Sequence, residues 1–230
     1  MAYNISTMYI WRNFNGECEC PMCKIHQKTE CDICDSYLSE AAMEDAEREK
    51  VNKYGFCAKH YDVLYSGRGK LPLALQASTR LKTMEKLIKS TPDVKKAVKV
   101  AESLRKDTTD CIICRKIEFN MSRYFETVAR LYGDDEKFRK AMLTVKGFCF
   151  PHFIRLVENS KKAGKHAQEF IDVIYQKQRE SLENLGKDLT DFTMAFDYRS
   201  SALPSKSASM SLVKTYVKMY GDKPILPERK

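Results

Sequence analysis

The sequence predicts an all-α protein, built as a duplicated helical unit in which each copy carries a Cys3His zinc knuckle and the copies form a helical bundle. Three observations carry that expectation. Cys20-Pro21-Met22-Cys23 and Cys111-Ile112-Ile113-Cys114 are followed, 34 and 35 positions after their second cysteines, by the cysteines of Gly55-Phe56-Cys57-Ala58-Lys59-His60 and Gly147-Phe148-Cys149-Phe150-Pro151-His152. Between these motifs apolar residues recur three or four apart, the period of a buried helix face, and no segment alternates as a strand would. Glycine and proline are scarce and fall mostly at the edges of the periodic stretches.

Tyr9, Trp11 and Phe14 give the N-terminal arm aromatic anchors for a core. A long helix is predicted over 23–53, a short one through His60 to Tyr65, and another over 72–90 whose buried stripe is Leu73, Ala77, Leu81, Met84 and Ile88. Thr91-Pro92-Asp93 has the form of an N-cap followed by proline at the first helical position, so a linking helix should run on to about residue 106. From Cys114, the residues Ile117, Met121, Phe125, Val128 and Tyr132 mark one buried helix face ending near Gly133. Phe170, Val173, Ile174, Leu182, Leu185, Leu189, Phe192 and Phe196 trace a second long stripe, softened at Gly186. Residues 200–207 read as a linker. Beyond it Leu212, Val213, Tyr216, Val217 and Tyr220 form an amphipathic segment, expected to dock on the core through that apolar face.

The repeat extends past the ligands, since Tyr61 and Leu64 match Phe153 and Leu156, with a period of about 91 residues. This divides the chain into a repeat with its linking helix over 1–106, a second repeat over 107–199, and a basic tail over 200–230. Duplication also pairs the ligands: Cys20, Cys23, Cys57 and His60 would form one tetrahedral site, and Cys111, Cys114, Cys149 and His152 the other. Cys-x-x-Cys delivers two thiolates from one chain reversal, and Cys and His three apart on a helix supply the remaining two. Two zinc ions per chain are expected, each in a closed structural site. Iron, an iron–sulfur cluster or redox thiols compete with that reading, although a thioredoxin-like pair needs a preceding strand that is missing here.

Cys34 aligns with the core position Phe125 and reads as a buried apolar thiol, and Cys31 aligns with Ser122; a third site from Cys18, His26, Cys31 and Cys34 is the alternative. Gly67-Arg68-Gly69-Lys70 lacks the full phosphate-loop pattern and reads as a turn. The acidic run from Glu40 to Glu49 is a solvated helix face, without the Glu-x-x-His pairs that a di-metal centre needs. His166 has no evident partner.

Forty basic against thirty-one acidic residues give a formal charge of +9, mixed along the chain as on solvated helices. There is no signal-like start and no apolar run of about 20 residues, which predicts a soluble cytoplasmic protein with reduced thiols. With its twin motifs, the sequence resembles a prokaryotic family known only as a domain of unknown function. That resemblance covers about residues 15–195 and implies a helical fold and metal ligands, with no activity. The leading expectation is a non-enzymatic, zinc-stabilised helical protein that binds an unidentified protein partner. A nucleic-acid-binding zinc protein using Lys95, Lys96, Lys99, Lys161, Lys162, Lys165 and the basic tail is the alternative, and a thiol oxidoreductase a third.

Overall fold

The computed structural model describes residues 5–89, 93–196 and 203–221. Every regular element in them is helical: α1 (Ile5–Asn13), α2 (Pro21–Tyr37), α3 (Asp45–Tyr54), α4 (Ala58–Ser66), α5 (Lys70–Ile88), α6 (Val94–Thr109), α7 (Ile112–Asp134), α8 (Glu136–Thr144), α9 (Phe150–Glu158), α10 (Ala167–Met194), α11 (Lys206–Ser209) and α12 (Ser211–Tyr220). Short 3-10 turns at Glu40–Ala42 and Ser160–His166 complete the set. No strand occurs among the described residues, so the all-α expectation holds.

The chain divides into two compact units. One is contiguous, Lys28–Asn120; the other joins the described residues up to Gln27 to those from Met121 onward. In the contiguous unit Tyr37, Val51, Leu64 and Leu73 are buried, and Tyr37 donates its hydroxyl to Glu47 at 2.8 Å. The discontinuous unit is built on aromatics: Phe14 lies 5.2 Å from Phe138 and 6.5 Å from Phe148, and Tyr132 5.0 Å from Phe170. Trp11 packs edge-on against Phe138, so α1 is anchored as its aromatics suggested.

The stripe Ile117, Met121, Phe125, Val128 and Tyr132 is buried throughout, as its spacing required. Other expectations need correction. The helix expected over 23–53 breaks after Tyr37. There the Gln76 amide donates to the Tyr37 carbonyl, and the loop at Gly67 to Gly69 crosses so close to Leu38 that a Cβ on Gly69 would stand 2.5 Å from the Leu38 carbonyl oxygen. On α5 only Leu73 of the expected stripe is fully buried, and Leu81 and Ile88 face solvent. Phe196 is likewise exposed at the end of the α10 stripe. Asp93 caps α6, its side chain accepting from the Lys96 amide at 2.9 Å; Thr91 and Pro92 lie outside the described residues.

The largest departure is α12. It packs on α9 and α10, but buries Ser211 and Lys218 while Leu212, Val213, Met219 and Tyr220 stay exposed. The apolar face predicted to dock is the outward one.

Candidate metal centres

Each sequence motif sits at the start of a helix. Cys57 and Cys149 are the N-cap residues of α4 and α9, whose carbonyls accept from the Tyr61 and Phe153 amides at 2.8 Å. Cys20 precedes Pro21 at the start of α2, and the Cys111 carbonyl accepts from the Arg115 amide at the start of α7. The free amides and positive dipole end of a helix N-terminus favour thiolate over thiol. The glycine of each Gly-Phe-Cys run sets the approach: Gly55 and Gly147 have φ of 64° and 149°, and a Cβ on Gly147 would meet the Ser181 side chain at 2.7 Å.

All eight predicted ligands gather into two four-residue clusters, but not in the predicted partition. Cys20 and Cys23 join Cys149 and His152 in the discontinuous unit; Cys57 and His60 join Cys111 and Cys114 in the contiguous one. Pairing within each half of the sequence is therefore overturned. The helix lengths go with this partition. α2 leaves its Cys-x-x-Cys pair for 17 residues, about 25 Å, whereas α3, the one α-helix between its end and Cys57, has 10 residues and can retrace at most about 15 Å. The mismatch is larger after Cys111 and Cys114, where 23 residues of α7, about 34 Å, meet nine of α8, about 13 Å.

In the first centre Cys149 Sγ lies 3.9 Å from Cys20 Sγ and 3.6 Å from Cys23 Sγ. The Nδ1 of His152 is 3.5, 3.4 and 3.1 Å from Cys20, Cys23 and Cys149. In the second, Cys57 and Cys114 are 3.8 Å apart and His60 Nδ1 lies 3.3 Å from each of Cys57, Cys111 and Cys114. A tetrahedron with Zn–S near 2.3 Å and Zn–N near 2.0–2.1 Å has S···S edges of about 3.8 Å and S···N edges of about 3.5 Å. The donor sets fit a tetrahedral thiophilic cation, and the sulfurs are far beyond the roughly 2.05 Å of a disulfide.

Electrostatics agree with the geometry. Cys111 is drawn down to about 6: burial opposes its ionisation, but hydrogen bonds from His60 and from the Cys114 and Cys57 amides outweigh that. Cys20 is lowered against its own burial by Cys149, Cys23 and His152. Their neighbours move the other way, Cys149 up to about 12 chiefly through its hydrogen bond with Cys20, and Cys114 upward through burial and then the charges of Cys111 and Cys57. Three thiols in so small a volume cannot all ionise unless a cation sits among them.

The centres differ in surroundings. In the first all three cysteines are buried, and His152 stacks at a tilt against Phe125, 5.7 Å between rings. In the second Cys114 is exposed and Cys57 half-buried. There the far side of the histidine is held: His60 Nε2 lies 3.0 Å from Glu30 Oε1, and Lys59 Nζ is 2.7 Å from the same oxygen. Glu30 is 6% exposed and depressed to about 2; burial alone would raise it, and His60 and Lys59 more than reverse that. Neither Glu30 nor Lys59 stood out in the sequence. A carboxylate seven residues past a Cys-x-x-Cys, on the same helix face, is the signal that could have found it.

No third such group forms from Cys18, His26, Cys31 and Cys34 among the described residues. Cys34 is buried, as expected, and Cys31 is exposed. The Gly67 to Gly69 segment is the turn between α4 and α5. His166 has a partner after all, its Nδ1 lying 2.7 Å from Glu169.

The fold and the two clusters define a class: an all-α protein with paired Cys3His centres. Within that class the chain belongs to a family of unknown function, DUF6062, whose model matches residues 1–225. Comparisons with curated proteins and with solved structures give no match. No described helix is long and apolar enough to cross a membrane.

Proposed function

We propose that this chain is a non-enzymatic helical protein held by two structural zinc centres, formed by Cys20, Cys23, Cys149 and His152 and by Cys57, His60, Cys111 and Cys114, and that it presents its helical surface to a macromolecular partner. The observation that carries the zinc reading is the edge lengths of the two tetrahedra. Four protein ligands fill each centre and leave no position for water or substrate, so the metal would serve folding and not catalysis. Apparent binding energies of about 10 kcal/mol per structural zinc rival the stability of an ordinary domain. The metal-free chain should lose much of its structure.

A protein partner is favoured by apolar side chains turned outward in both units, among them Leu81, Ile88 and Val94, and Leu212, Val213 and Tyr220. Elemental analysis of protein purified without added metal tests the zinc reading: one zinc per cluster is expected, with one lost in each of Cys57→Ser and Cys149→Ser. Absence of metal, with thiols free or disulfide-linked, would sink it and bring thiol chemistry forward. Retention on DNA or RNA at about 0.15 M salt, falling steeply as salt rises, would replace the protein partner with nucleic acid.

A further inference from the structure

Lys218 is 5% exposed, although α12 carries leucine, valine and tyrosine side chains that stay in solvent. Burying an ammonium in preference to those residues is costly unless a negative charge meets it. Its hydrogen-bond partners are neutral: Lys218 Nζ donates to the Phe148 carbonyl at 3.0 Å and to Ser181 Oγ at 2.5 Å. Burial draws the Lys218 ammonium below the ordinary lysine range, and the charges that work against that loss are those of Cys20, Glu19, Cys149 and Cys23. Three of those four belong to the first centre.

A divalent cation held by three thiolates and a neutral imidazole carries a net charge of −1. Around the second centre solvent reaches Cys114 and Cys57 and can screen that charge. Around the first the cysteines are 3%, 4% and 1% exposed, so the charge must be met from within the protein. A second contact, independent of the lysine, brings α12 to the same place. At its C-terminal end Gly221, with φ of 85°, lies so close that a Cβ there would stand 3.8 Å from Cys149 Sγ and 4.0 Å from Cys23 Sγ.

We propose that Lys218 is the counter-cation of the first Cys3His centre, and that α12 is thereby a latch whose docking and whose cover over the thiolates depend on the metal beneath. This rests on the zinc reading and deepens it: the last helix is not a passive tail but the outer wall of one centre. It also explains the inverted face of α12, because the lysine and the terminal glycine meet the centre only when the apolar side points outward. Lys218 acts through the thiolates and the Phe148 carbonyl, as a positioning residue.

The full-length, zinc-loaded protein is challenged with an excess of a colorimetric chelator while hydrogen exchange is followed in the α12 amides. Wild type should release zinc in two phases, the fast one from the exposed second centre. Lys218→Met should accelerate the slow phase by about 10–100-fold, the range seen when outer partners of metal ligands are removed, and expose the α12 amides. The fast phase should not change, which also shows that the variant is folded. Lys218→Arg keeps the charge and should retain most of the slow phase. A slow phase unchanged in Lys218→Met, with zinc bound at both centres, would overturn the latch and leave the zinc reading standing. Failure of wild type to bind zinc at either centre would overturn both.

Discussion

At the scale of single residues, the second centre is organised by Glu30 as much as by its ligands. The carboxylate fixes the His60 ring so that Nδ1 faces the thiols, and Lys59 holds the carboxylate. Glu30→Gln should lower zinc affinity at this centre by about 10–100-fold and leave the first centre unchanged, as read by competition with a chelator. Exposure makes a second prediction. Iodoacetamide should modify Cys114 and Cys57 well before Cys20, Cys23 or Cys149, in an order that mass spectrometry of digests can follow; early modification of Cys149 would contradict it. The ligands themselves were legible in the sequence because the chemistry of Cys-x-x-Cys and Cys-x-x-His is local. Glu30 and Lys218 were not, because a carboxylate or a lysine on a helix looks solvated until the packing is known.

Among the elements, four helix N-termini converge in pairs, α2 with α9 and α4 with α7, and each pair meets through its thiols and imidazole. The glycine ahead of each Cys-x-x-His motif allows the approach. Gly147→Ala should cost about 1–3 kcal/mol, from a strained φ and a clash with Ser181, measurable by denaturant unfolding of the zinc-loaded protein. Phe125→Ala, beneath His152, should cost about 3–5 kcal/mol. Glu47 ties α3 to its neighbours through the Tyr37 hydroxyl and Lys116 Nζ, at 2.8 and 2.7 Å. Burial opposes its ionisation, but Lys116, Lys50 and Tyr37 depress it from 4.5 to about 2. Its stabilisation is therefore present above pH 4.5 and lost as pH falls from 4.5 towards 2. The thermal stability difference between wild type and Glu47→Gln should shrink over that window, with metal loss common to both cancelling. The periodicity that revealed α7 failed on α2, α5 and α12 for physical reasons. No glycine or proline marks the break at Tyr37, since a glycine loop some 30 residues later imposes it. The apolar stripes of α5 and α12 are helical in period, yet Leu81 and Ile88 of the one and Leu212, Val213 and Tyr220 of the other stay exposed. Period reports helix, and only contact reports burial.

Over the whole molecule, the pairings are nested. The second centre joins Cys57 to Cys114 across 57 residues, inside the first, which joins Cys23 to Cys149 across 126. The matching motifs made sequential pairing the natural expectation, and nothing local in the sequence distinguishes it from nesting, because both satisfy the same donors. Nesting matches the division of the chain, with one complete ligand set in the contiguous unit and one in the discontinuous unit. It follows that a fragment spanning Lys28–Asn120 should bind one zinc, whereas sequential pairing would leave no complete site within it. The chain thus has two long-range closures, each at a cluster of three cysteines and a histidine that could hold a metal ion.

The most direct measurement is the zinc content of two double variants. Nested pairing predicts that Cys23→Ser with Cys149→Ser damages one centre and leaves one zinc per chain, while Cys23→Ser with Cys57→Ser damages both and leaves none. The reverse result, one zinc retained in Cys23→Ser with Cys57→Ser and none in Cys23→Ser with Cys149→Ser, would contradict the nested centres and restore the sequential knuckles.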